Sequence, residues 1–224
     1  MRTPGPAGTR PDETPPIRPI RGPRAGAHTL SGVMARTKKL SIRTAARADL
    51  PDIRGIVDAQ FGRRRLMGHP EDAARPDGFT LVAEHDGNVL GVCLASVFTP
   101  GAVGRLMRAG LPDVLHARRI GLLDTLAVHP DHTGQGLGSR LADAARDRFR
   151  ARKVRVWASV AWHPAAATPD TPTLAPILDR AGMEPFAEVT DYWRTESLSH
   201  RFTCPACGEP PCECSAVMYA GAIA

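Results

Sequence analysis

The chain has 224 residues, 42% of them hydrophobic and 23% charged, enough for one domain with a buried core and a small appendage. Its formal charge of +6 is unevenly placed: residues 1–47 carry ten Lys and Arg against two Asp and Glu, a net +8, and the remainder carries nineteen against twenty-one, a net −2. A slightly acidic body argues against nucleic acid as a partner of the folded part, and the absence of an eighteen-residue apolar stretch argues against a membrane span.

Residues 1–38 are rich in Pro, Gly, Arg and Thr and offer too little apolar surface to offset the entropy of ordering, so a disordered tail is expected there. Met34 is a candidate start, and the first thirty-three residues hold no apolar run of seven, so no secretory leader is read. With only five Cys, a disulfide scaffold is not expected, and the localisation read is cytoplasmic.

The ordered domain is expected over residues 39–224. "LSIR" reads as a strand. "ADLPDIRGIVDAQFG" reads as a helix with Asp49 as N-cap, Pro51 in its first turn, and Ile53, Ile56, Val57 and Phe61 at the helical period. Residues 62–78 read as an Arg-rich loop. "FTLVAEHDGNVLGVCLASVF" reads as a hairpin turning at Asp86-Gly87. Residues 99–119 show no clear period, with a short helix available at "LPDVLHARR". "IGLLDTLAV" is apolar on both faces apart from Asp124 and Thr125, the mark of a central strand.

After a glycine-rich turn, a helix runs to about Arg152, with Leu137, Leu141, Ala145 and Phe149 on one stripe and the pairs Asp143–Arg146 and Asp147–Arg150 outside. "VRVWASVAW" is the next buried strand, and "TLAPILDRAGM" a short helix ending at Gly182. "EPFAEVTDYWRTESL" reads as one further strand and "SAVMYAG" as the last. This order implies a mixed α/β sheet layered by helices.

The turn "HPDHTGQGLGSRL" places Gly134, Gly136 and Gly138 where a central strand hands over to a helix. Backbone N–H groups and the positive end of the helix dipole then converge on one point, which suits an anion such as phosphate. No Lys follows the glycines, so the P-loop pattern fails. The dinucleotide pattern G-x-G-x-x-G fails too, because position 139 is Ser and no acid follows at the required distance.

The stretch "LAVHPDHTGQGLGSRL" resembles the acetyl-CoA signature of the GNAT-type N-acetyltransferase superfamily, in which a strand ending in V-x-P precedes Q/R-x-x-G-x-G/A and a long helix. Gly136 and Gly138 match that signature, and Thr133 stands where the family usually has Arg or Gln. The likeness extends over about residues 40–198 and resumes at 215–220.

That resemblance implies a mostly antiparallel twisted sheet, splayed at the central strand, with helices on both faces. It also implies direct transfer of an acetyl group from acetyl-CoA to an amine. The expected cofactor contacts are Leu126, Ala127 and Val128 along the splayed strand, and Thr133, Gly134, Gln135, Gly136, Leu137, Gly138 and Ser139 at the turn. A homodimer stays open. The alternative function is a non-catalytic acyl-CoA-binding or partner-docking module on the same scaffold.

Asp124 is the candidate base, since a carboxylate among apolar neighbours must be paired, neutral or functional, and alternation places it on one face with Ile120, Leu122, Leu126 and Val128. The Tyr that the family uses as an acid aligns with Leu178. Tyr192 and Tyr219 are the only tyrosines and are read on neighbouring strands, and His163 is a second candidate acid. Trp157 and Trp162 fall on opposite faces of their strand, one for the core and one for an acceptor pocket.

Finally, Cys204, Cys207, Cys212 and Cys214 have the spacing C-x2-C-x4-C-x-C. In a cytoplasmic chain this suits a structural, tetrahedral Zn²⁺ in an insert at 200–214 between the last two strands, a zinc-knuckle-like appendage with His200 as a spare ligand.

Overall fold

In the computed structural model, seven strands form one sheet in the order β1-β2-β3-β4-β5-β7-β6. The structure describes residues 40–63, 77–167, 171 and 173–224. The tail expected at 1–38 and most of the Arg-rich loop expected at 62–78 lie outside the described residues.

The strands are β1 (Ser41–Thr44), β2 (Gly78–His85), β3 (Asn88–Phe98), β4 (Ile120–Val128), β5 (Val156–His163), β6 (Glu184–Val189) and β7 (Ser215–Ala222). The helices are α1 (Leu50–Phe61), α2 (Pro100–Met107), α3 (Leu137–Ala151), α4 (Ala175–Arg180) and α5 (Arg194–His200). Every neighbouring pair of strands is antiparallel except β4 and β5. The sheet is therefore mixed and mostly antiparallel, as the resemblance implied.

Alternation along the strands divides the core between the two faces. On one face Leu81, Cys93, Ala95, Leu123, Trp157 and Tyr219 meet Leu137, Leu141, Ala145 and Phe149 of α3 and Leu178 of α4. On the other, Val82, Val92 and Leu94 meet Ile53, Ile56 and Val57 of α1, while Ile120, Leu122, Ala158 and Met218 meet Val103 and Met107 of α2 together with Cys204, Cys212 and Cys214. The α3 stripe is fully buried as its period required, and its outer face carries Asp143–Arg146 at 2.8 Å and Asp147–Arg150 at 2.6 Å. The hairpin turn holds Asp86 and Gly87 at φ 52° and 85°, the left-handed pair a two-residue turn needs.

Three local expectations are corrected. Asp49 precedes α1 but makes no side-chain cap. Its carboxylate accepts from Ala46 N at 2.6 Å and from Arg43 at 2.6 and 2.9 Å, closing the turn before the helix instead. The Arg43 bond holds the Asp49 carboxyl below its ordinary value, against the opposing effect of burial.

Within 99–119 the helix is α2, starting at Pro100, and "LPDVLHARR" supplies only a 3-10 turn at Asp113–Leu115. Burial of Val103 and Met107, one turn apart, outweighs the low helix propensity of Gly101 and Gly104. Lastly, "EPFAEVTDYWRTESL" is not one strand: β6 stops at Val189, and a turn leads into α5. The cause is Tyr192, drawn into the core with its hydroxyl donating to Leu106 O at 2.5 Å and its ring under the Arg108 guanidinium at 4.2 Å.

Candidate active site

The strands β4 and β5 pair only at Gly121–Trp157, Leu122–Ala158 and Leu123–Ser159. Beyond these positions they part. Ser159 marks the fork, its buried hydroxyl donating to Leu123 O at 3.0 Å. Past Leu123 the β4 edge is not covered by β5, and a cleft of about 380 Å³ fills the gap.

Opposite the fork, β4 carries an extra residue. Leu94 pairs with Thr125 and Ala95 with Leu123, so Asp124 is a bulge. The bulge resets alternation. Ile120 and Leu122 belong to the α2 side, whereas Leu126 and Val128 pack on the α3 side. The expectation that Asp124 shares one face with all four is therefore wrong. Instead the bulge delivers Asp124 to the wall of the cleft, half-buried, with the Thr125 hydroxyl 3.4 Å from Oδ2. Behind it, burial and then the Asp124 charge push the Cys93 thiol far above its ordinary value, so Cys93 stays a neutral core residue.

At the far end of β4 the chain turns through Pro130–His132 into α3. Gly134 and Gly136 sit at φ 74° and 76°, and a Cβ at either would point into open space. Gly136 precedes α3 in the left-handed conformation, with no side chain capping the helix and no acid in its first turn. The first N–H groups of α3 and the positive end of its dipole thus face the cleft unblocked. Gly138 serves packing instead, since a Cβ there would lie 2.7 Å from Ile177 Cδ1. Thr133 turns its hydroxyl to Pro130 O at 3.0 Å. A guanidinium arrives from α4, where Arg180 Nη1 donates to Ser139 Oγ at 3.0 Å.

Of the ten residues expected to contact a cofactor, all line the cleft except Gln135. The candidate acids are elsewhere. Tyr192 and Tyr219 are core residues, His163 is paired with Glu188 at 3.3 Å, and none of the three lines the cleft. Tyr192 also lies in the turn after β6, not on a strand. Burial, followed by the Asp179 charge, raises the Tyr219 phenol. Trp157 is core and Trp162 lines the cleft.

Besides Arg180, sequence reading missed three contributors. Gln60 donates from α1 to Val128 O at 2.7 Å, bracing the end of β4. Phe61 and Trp193 complete an aromatic wall with Trp162, Phe61 meeting Trp162 edge-on at 6.3 Å between centroids. Only Gly62, which ends α1 directly after Phe61, was a local signal. A Cβ there would collide with the Thr203 carbonyl.

The cysteines gather at the end of that wall. The four Sγ atoms lie within 4.8 Å of one another, and none is in a disulfide. Burial pushes the Cys214 thiol up to about 11 and the Cys212 thiol higher still.

Residues 47–167 match the model of the acetyltransferase (GNAT) family. The chain belongs to that family. As a GNAT chain it is an acyltransferase, and the splayed sheet is the family's fold. Its described fold is similar to the ribosomal-protein-S18-alanine N-acetyltransferase of Escherichia coli, with 15% identity, TM-score 0.56, and coverage of 83% of this chain and 95% of that one. It is also similar to the ribosomal-protein-alanine N-acetyltransferase of Brucella melitensis, with 19% identity, TM-score 0.55, and coverage of 82% and 99%. A third similar structure is an aminoglycoside 6'-N-acetyltransferase complexed with coenzyme A, with 10% identity, TM-score 0.55, and coverage of 82% and 97%. A search of curated protein sequences finds no match. No described helix of this GNAT chain is long and apolar enough to cross a membrane.

Proposed function

We propose that this protein transfers an acetyl group from acetyl-CoA to a primary amine. The observation that carries the reading is the continuity of the cleft. It runs from the open edge of β4, past the bulged Asp124, to an uncapped helix N-terminus behind two left-handed glycines. The open space at Gly134 and Gly136 fits a pyrophosphate drawn to the α3 N-terminus. The β4 edge at Leu126–Val128, left uncovered by β5, suits an amide-bearing chain laid along the strand. Thr133 contributes no charge to such a site, and Arg180 at Ser139 supplies one from α4.

Acetyl-CoA would supply a thioester whose acetyl carbon bonds to the amine nitrogen as the C–S bond breaks, coenzyme A leaving as a thiolate that takes up a proton while the nitrogen loses one, to give the amide and the free thiol. The protein's own contribution is to hold the amine at the fork and take its proton. An amine at neutral pH is mostly ammonium and attacks only once deprotonated. We assign that proton to Asp124, which lies on the wall of the cleft between the fork and the glycine turn. The aromatic wall of Phe61, Trp162 and Trp193 faces the acceptor side, excluding water and packing the acceptor's apolar stem.

The neighbours named above act on ribosomal-protein alanine and on aminoglycosides, and that spread leaves the acceptor of this chain open. A panel of polyamines, amino acids, aminoglycosides and peptide N-termini, each assayed for acetyl-amine product by mass, tests the reading. At least one class should be acetylated. Tight acetyl-CoA binding with no product from any class would favour a non-catalytic acyl-CoA module.

A further inference from the structure

We infer that Cys204, Cys207, Cys212 and Cys214 bind one Zn²⁺ whose role is to anchor the aromatic wall of the cleft through Trp162. The metal site stands on its own geometry. Its link to the acceptor wall rests on the acyl-transfer reading.

A tetrahedral Zn²⁺ with bonds of about 2.3 Å to sulfur sets its ligands about 3.8 Å apart. Here Cys207 and Cys214 are 3.4 Å apart, Cys204 and Cys214 3.6 Å, and Cys207 and Cys212 3.9 Å. Such spacing is too tight for a cluster of several irons with bridging sulfide, and a closed set of four thiolates suits Zn²⁺.

The backbone is arranged to hold the first pair. Cys204 and Gly208 exchange two N–H···O bonds at 2.9 and 2.8 Å, and Gly208 adopts φ 78°, so the turn folds back on itself and brings Cys204 and Cys207 to one side. Ser197 of α5 is fully buried. Its hydroxyl accepts from Cys212 N at 2.9 Å and fixes the second pair.

One sulfur also receives the kind of N–H donor that thiolate ligands need, Glu213 N donating to Cys207 Sγ at 3.4 Å. Trp162 packs against the cluster that contains Cys204, Cys212 and Cys214, and its ladder partner is Ala216, two residues beyond Cys214. Trp162 is thereby tied to the site by packing and by the β5–β7 ladder while its ring lines the cleft against Phe61. The Thr203 carbonyl, seated against Gly62, closes the loop onto the end of α1. The cysteine loop therefore braces both aromatic residues from behind.

The test uses the full chain purified under reducing conditions. Metal analysis should return about one zinc per chain, and exchange for Co²⁺ should give the intense absorption of a tetrahedral thiolate centre. Trp162→Ala removes the ring that packs on the cysteine cluster, and should lower zinc affinity about tenfold in competition with a chelator. Releasing the metal should change indole fluorescence in the wild type but much less in Trp162→Ala. Protein with no zinc and four freely titrating thiols, with disulfides, or with iron instead would overturn the site. Unchanged zinc affinity in Trp162→Ala would overturn the link to the wall. Retained zinc in a protein that binds no acetyl-CoA would instead fault the acyl-transfer reading and leave the metal site standing.

Discussion

Asp124 owes its place to one extra residue in β4, and the account makes it the acceptor of the amine proton. Asp124→Asn keeps the shape and removes the base. Turnover should fall about a hundredfold, the lower end for a lost general base, while acetyl-CoA affinity by calorimetry changes little. The deficit should be largest at low pH, because the variant must draw on the small fraction of amine already neutral, and should shrink as pH rises. Equal loss at every pH from 6 to 9, or none, would make Asp124 structural. The residue was legible as an acid in an apolar strand. Its orientation was not, since a bulge is a property of two paired strands and "IGLLDTLAV" carries no mark of where β3 slips. Gln60, Arg180 and Trp193 escaped for a similar reason. Each looks like an ordinary residue until distant chain brings Val128, Ser139 or the cleft beside it.

Elements with a strong local period were the readable ones. Strand β4, the β2–β3 hairpin and α3 follow from an apolar run, an Asp-Gly turn and a stripe at intervals of four, and of these β4 and the start of α3 line the cleft. Helices α2 and α5 were not readable. The first contains two glycines and is held by core contacts, and the second follows a buried Tyr-Trp pair that ends β6.

The fork between β4 and β5 can be probed directly. Ser159→Ala leaves the Leu123 carbonyl without its buried hydroxyl partner and should cost about 1–2 kcal/mol in urea unfolding. A cost near zero would mean that the bond does not hold the strands at their point of parting.

The sheet edge offers a pH test. Arg43 on β1 ties Asp49 and Glu84 together, and the folded Asp49 carboxyl lies below its ordinary value. A depressed carboxylate stabilises the fold above about pH 4 and loses that contribution as pH falls toward the folded value. Asp49→Asn should therefore be less stable than wild type at neutral pH, and the gap in melting temperature should close below about pH 4. A gap that persists in acid would contradict the assignment.

Taken whole, the molecule is a sheet pried open at its one parallel pair, with different supports on the two sides of the gap. On the α3 side, glycines and an uncapped helix suit the cofactor. On the other, aromatic residues packed against the cysteine loop suit the acceptor. The fold class was legible because the element order and the glycine turn together restrict the architecture. The support of the acceptor side was not, because the cysteines are separated in sequence from Phe61 and Trp162.

The central claim is that acetyl-CoA is held over the N-terminus of α3. The most direct measurement is calorimetric titration of acetyl-CoA into the wild-type chain and into Gly136→Asp, which places a side chain and a negative charge where the left-handed glycine opens the cradle. The account predicts saturable one-to-one binding to the wild type and none detectable to the variant, with both proteins folded by circular dichroism. No binding to the wild type, or equal affinity in the two proteins, would contradict it.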